Sequence, residues 1–200
     1  MHPINSIKNA LALGLVLAIA ISIILTTSLG GAIGLNLPQV DRWLHIVSGV
    51  MWIGLLYYFN VVQVPGLAEA AADKGGPGGA GVTKYIAPRA LLWFRWASVV
   101  TWVSGFLYLV VYYGLSGTHA AFTLQPQMRV IGVGAYLGTI MLFNVWHFIW
   151  PNQKKILGIV AATDEEKAKA RKVALTASRI NFILSIPMLM CMGHLHGLPF

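Results

Sequence analysis

Five stretches of the chain, at 9–31, 40–62, 90–113, 128–150 and 179–196, are apolar around their whole circumference. They show neither the two-residue alternation of a half-buried strand nor the one-sided stripe of a helix lying on a soluble core. A hydrocarbon layer of roughly 30 Å needs about 20 helical residues at 1.5 Å rise, which these stretches supply. The pattern predicts an all-α, polytopic membrane bundle of about five transmembrane helices, forming a single domain over residues 1–200. A membrane barrel is excluded, because its strands alternate lipid-facing and lumen-facing residues.

Polar residues gather between these stretches. The connection at 65–88 contains Gly75-Gly76-Pro77-Gly78-Gly79 and is expected to be flexible. The connection at 152–178 runs from Asp164-Glu165-Glu166 to Lys167, Lys169, Arg171 and Lys172. Acidic residues first and basic residues last suit a helix dipole, so Thr163 is read as the cap of a surface extension of the fifth span. Lys8 ahead of the apolar run 10–29 has the layout of a secretory leader, but the run is long for one and is read as a retained first helix.

Composition agrees with a lipid environment: 57% of residues are hydrophobic and 10% charged, against about 25% charged in an average soluble protein. The net charge of +8 does not point to nucleic acid, because the basic residues sit in the connections. With the N-terminus inside, Lys8, Lys74, Lys84, Arg89, Lys154, Lys155, Lys167, Lys169, Arg171, Lys172 and Arg179 share one side and only Arg42 and Arg129 the other. That asymmetry predicts an N-terminus inside and a C-terminus outside. The single cysteine, Cys191, excludes an internal disulfide, and no Cys-x-x-Cys-His is present for covalent haem attachment.

Histidines supply the candidate chemistry. His45 lies about one turn inside the second span and is followed at helical spacing by Gly49 and Trp52. A glycine one turn from an imidazole leaves a flat recess that suits a planar macrocycle ligated through the neutral ring nitrogen. The same residues also suit a buried histidine bonded to a neighbouring helix. His194 and His196 end the fifth span at a comparable depth, so either is a candidate axial partner for His45 on a b-type haem. His147 lies about 20 Å deeper by helix rise and cannot share that iron. A second, inner site near His147 would draw on Asn60, Gln63, Arg95, Asn144 and Asn181. Ionisable groups inside a span tend to be functional. Arg95 would there hold haem propionates, a quinone or another anion, or else snorkel to the headgroups.

Copper is the alternative metal. Met188, Met192 and His196 form one helical stripe and Met190 and His194 another, and soft ligands suit Cu(I). Methionine in such a helix also serves packing. His2 and His119 are read as solvated. Trp43, Trp93, Trp96, Trp146 and Trp150 lie near span ends and are read as interface anchors. Gly105, Gly132, Gly134 and Gly138 suggest close helix contacts, within the bundle or with another subunit.

Trp43-Leu44-His45-Ile46-Val47-Ser48-Gly49-Val50-Met51-Trp52-Ile53-Gly54, continuing through Tyr57-Tyr58-Phe59-Asn60, resembles the membrane domain of bacterial membrane-bound urate oxidases. Further stretches agree in order: Pro88-Arg89-Ala90-Leu91-Leu92-Trp93-Phe94-Arg95-Trp96, then Asn144-Val145-Trp146-His147-Phe148-Ile149-Trp150-Pro151-Asn152, then Ser178-Arg179-Ile180-Asn181 and Ser185-Ile186-Pro187-Met188. More distantly, the histidine-glycine-tryptophan helix resembles that of the membrane protoporphyrinogen oxidase family and of copper-resistance D-type membrane proteins. The first resemblance implies a membrane redox fold. Family members couple urate oxidation to a C-terminal c-type cytochrome and carry more helices. Residues 1–200 hold no such cytochrome segment, so the resemblance implies an oxidoreductase-related membrane part that is expected to pass electrons to or from a separate partner, such as a cytochrome. A cofactor-free accessory subunit of a larger respiratory or oxidase complex is the rival.

Overall fold

The computed structural model describes residues 6–193, and internal contacts divide the chain into two units, Met1–Leu37 and Pro38–Phe200. The first unit holds α1 (Ile7–Ser28), none of whose residues is buried. Its polar C-terminal side chains are satisfied locally, as a hydrocarbon solvent requires. Thr27 donates to the carbonyls of Ile23 and Ile24, and Ser28 to that of Leu25.

Helices α2 (Leu37–Tyr57), α3 (Val64–Ala72), α4 (Ala87–Phe122), α5 (Arg129–Asn144), α6 (Trp150–Ile156) and α7 (Asp164–Met192) follow. No strand occurs among the described residues. They join into stretches, and together with α1 five are long and apolar enough to cross a membrane: Ile7–Ser28, Leu37–Ala72, Val82–Phe122, Pro126–Ile156 and Asp164–Met192. The helices therefore extend well past the apolar runs that announced them. The connection expected to be flexible over 65–88 shrinks to an irregular segment at 73–79. Alanines carry α3 onward to Ala72, and the chain leaves the helix at Asp73, just ahead of the Gly-Pro cluster.

Three wide π-helical turns, Tyr58–Gln63, Val82–Ile86 and Val145–Ile149, interrupt these stretches. Each is followed within two residues by a proline: Pro65, Pro88 and Pro151. A proline ring lacks an N–H and crowds the carbonyl four residues back. Widening the preceding turn moves that carbonyl aside and re-satisfies the freed groups, so the helix continues instead of ending. Gly114 interrupts α4 differently. At φ 69° and ψ 178° it leaves helical geometry, at the point where the third apolar run stops, and the residues after it form a further short helical piece.

The core lies where α2, α4, α5 and α7 meet. Trp52, Leu56, Phe94, Met141 and Val145 are almost wholly buried there. Phe59 meets the ring of Phe94 edge-on at 5.5 Å. Small residues on α5 permit close approach. A Cβ on Gly132 would run into the carbonyl oxygen of Ala121, and one on Gly134 would lie 2.9 Å from Cys191 Cβ and 3.1 Å from Met192 Cε. Gly138 has nothing within 4 Å of such a Cβ. Trp102 Nε1 donates to Thr139 Oγ1 at 2.9 Å, tying α4 to α5.

The start of α7 matches the sequence reading closely. Thr163 accepts from the Glu166 backbone N–H, and the Glu166 carboxylate accepts from the Thr163 N–H at 2.8 Å, a reciprocal capping box.

Candidate functional site around His45

His45 occupies the third turn of α2 and is half-buried, with its ring turned onto α4. Its Nδ1 lies 2.8 Å from the carbonyl oxygen of Thr101. A carbonyl can only accept, so Nδ1 carries the proton and donates. Nε2 is thereby left with its lone pair, the state of a ligating imidazole. Ser104 Oγ stands 3.4 Å from Nδ1 while its own hydroxyl donates to the Val100 carbonyl at 2.6 Å.

Space for the ring comes from Gly105. A Cβ there would fall 2.7 Å from His45 Cε1 and 3.0 Å from Nδ1, so no larger residue leaves the ring where it is. Gly49, the glycine singled out on α2 itself, faces the Thr101 methyl at an ordinary 3.6 Å. Ser98, Thr101, Ser104 and Gly105 form a stripe of small residues at helical spacing, the first three of them buried. That spacing is the sequence feature from which the seat of His45 on α4 could have been read. Trp52 lies two turns further along α2, 2% exposed, with an indole N–H that finds no acceptor.

The polar residues expected at an inner site divide into three groups. Asn181, wholly buried on α7, accepts from Asn144 Nδ2 at 2.8 Å and donates to the Met141 carbonyl at 3.0 Å. Asn60 donates to Ser178 Oγ at 2.9 Å and to the Leu56 carbonyl, while its Oδ1 and the Oε1 of Gln63 stay buried without partners. Arg95, 8% exposed, lays its guanidinium 3.4 Å from the ring centre of Trp150. His147 stands apart from these asparagines. Its side is exposed and its ring stacks on Phe143 at 4.0 Å, whereas Asn144 is buried.

His194 and His196, the candidate partners of His45, lie outside the described residues, as does His2. Among the described residues no three His, Cys, Asp or Glu side chains gather as a metal-binding group. Of the methionines proposed for copper, Met188 is buried in the core, and Met192 packs against it beside Gly134. Met190 is exposed. For a b-type haem, the donor chemistry of His45 fits: the ring is held at Nδ1 by a backbone carbonyl, which leaves Nε2 the lone pair that ligation would need.

No curated protein and no solved structure matches the chain. The model of the urate oxidase N-terminal family matches residues 35–127 and 119–197, so the pieces together take in α2 to α7 and the described seat of His45. The chain belongs to the urate oxidase N-terminal family.

Proposed function

We propose that this protein is the membrane-embedded redox part of an oxidoreductase, seated in a bacterial inner membrane with its N-terminus inside. In this reading a b-type haem is held by His45 together with His194 or His196. One observation carries it: the Nδ1–H of His45 is committed to the Thr101 carbonyl, which fixes the tautomer and leaves Nε2 to ligate. Haem would supply one-electron chemistry at a potential set by its surroundings. The chain's own part is to hold the imidazole by Thr101, to seat it against Gly105 and to surround it with low-dielectric helix packing. Electrons would pass to or from a separate partner such as a cytochrome. A reduced-minus-oxidised absorption spectrum of haem-replete protein tests the reading. The expected result is a Soret and α-band pair that His45→Ala abolishes; bands unchanged by that substitution would sink it.

A second reading has its own support. The His45–Thr101 bond and the close fit at Gly105 also make a helix-to-helix link that needs no cofactor. That reading is an accessory subunit fixed to a larger membrane complex. It predicts a spectroscopically silent chain whose His45→Gln variant still co-purifies with its partners.

A further inference from the structure

Among the described residues Arg95 is a buried cation without an anion. Its side chain is more than nine-tenths buried, and the hydrogen bond at this residue is made by its backbone carbonyl, from Ser98. Among the described residues the one ion pair joins Lys167 to Asp164, so no carboxylate answers Arg95. The whole chain has six acidic residues. The face of Trp150 at 3.4 Å offsets part of the charge but offers no acceptor to the five guanidinium N–H donors. An ion taken out of water in this way is strongly disfavoured unless it is paired and hydrogen-bonded.

What lies around it indicates the missing partner. Lys154, one turn along α6 from Trp150, places Nζ 5.8 Å from the centre of the same indole, so one ring is attended by two cations. Side chains on a helix lean toward its N-terminus, which for α4 is the end flanked by Lys84 and Arg89. Arg95 thus leans toward the basic end of the bundle. A planar fork of donors and an ammonium that share one indole suit a phosphate, which accepts through several oxygens at once.

We infer that Arg95, Trp150 and Lys154 form a phosphate-binding site at the basic end of the bundle, filled by an anionic lipid headgroup or by a dissolved phosphate. The site stands independently of haem at His45.

The test uses the full chain in neutral detergent, with thermal unfolding followed as phosphatidylglycerol, inorganic phosphate or phosphatidylcholine is added at matched ionic strength. Wild type and Arg89→Gln, an exposed arginine, should be stabilised by phosphatidylglycerol, by phosphate or by both, and not by phosphatidylcholine. A response to phosphatidylglycerol alone identifies a lipid; a response to phosphate as well identifies the phosphoryl group as sufficient. Arg95→Gln should raise the apparent Kd about tenfold, as expected for loss of one charge-assisted pair, and Arg95→Lys should recover part of it. If neither anion stabilises wild type beyond phosphatidylcholine, or if Arg95→Gln responds as wild type does, the site does not exist. Should Arg95→Gln fail to fold, Lys154→Gln decides: a weakened response supports the site and an unchanged one overturns it.

Discussion

The imidazole of His45 on α2 donates from Nδ1 to the main-chain carbonyl of Thr101 on α4, across 2.8 Å. The two residues are 56 positions apart, and this bond makes His45 part of the tertiary structure before any ligand is considered. Thr101 contributes its backbone, so substitution of its side chain leaves the acceptor in place. Thr101→Val is therefore expected to retain whatever spectrum the wild type shows, while His45→Ala loses it. Reduced-minus-oxidised spectra of the two variants side by side check this.

Gly105→Ala acts on the same imidazole from the other side. Its Cβ would press to 2.7 Å from His45 Cε1, and the neighbour is a ring held by its own hydrogen bond. The ring must rotate or the helices must part, at a cost on the order of 1–3 kcal/mol. Gly49→Ala, whose Cβ meets the Thr101 methyl at an ordinary distance, should stay close to wild type. Melting temperatures in detergent, with the absorption maximum of any bound haem, separate the two.

A second glycine pair tests the packing of α5. Gly132→Ala drives a Cβ into the Ala121 carbonyl oxygen, a backbone atom with no rotamer to retreat to, whereas Gly138→Ala enters open space. The first should be strongly destabilising. The second should be neutral or stabilising by up to about 1 kcal/mol, the helix-propensity gain of alanine over glycine. Equal melting temperatures for the two variants would contradict the placement of α5.

Asn181 bridges two helices, so Asn181→Leu leaves Asn144 without its acceptor inside a buried interface. The expected loss is on the order of 1 kcal/mol, since interhelical hydrogen bonds in membranes average about 0.6 kcal/mol and an unpaired buried group adds to that. Replacing Asn144 and Asn181 together by leucine should cost less than the sum of the single changes. A double-mutant cycle of unfolding midpoints measures the difference.

The α7 cap carries a pH dependence. The hydrogen bond from the Thr163 backbone N–H holds the Glu166 carboxyl below its ordinary value. A carboxylate depressed in the folded state stabilises at pH above its unfolded value of about 4.3 and loses that contribution as pH falls through the lower folded value. Amide exchange at the first turn of α7 should therefore accelerate, relative to the intrinsic rate, only below about pH 4. Thr163→Ala should accelerate it at neutral pH as well, by about 1 kcal/mol of lost capping.

Much of the fold was legible because its cues are local. Continuous apolar runs announced all five long helices, and Thr163 announced the cap of α7. The extents of the helices were not legible from hydropathy. Helical backbone continues past the apolar runs where alanine, joined in α7 by lysine, favours it, as in α3 and the first half of α7. The three π-helical turns were written in Pro65, Pro88 and Pro151, but a proline alone does not say whether a helix stops or widens.

For the candidate site, sequence pattern singled out His45 and a set of polar residues at one depth, but not what each would touch. Asn60, Asn144 and Asn181 share a depth along their helices, and depth is readable from helical rise. Rotation about each helix axis is not, and it alone paired Asn144 with Asn181, sent His147 to an exposed face beside Phe143 and turned Arg95 onto Trp150. By itself the sequence determined a helical, lipid-suited chain of the urate oxidase N-terminal family, because apolar length and motif order are properties of consecutive residues. Only the tertiary structure decided that His45 rests on Thr101 and Gly105 and that Arg95 is buried with no carboxylate partner among the described residues. Those relations depend on how separate helices turn their faces toward one another, which residue-by-residue patterns do not encode.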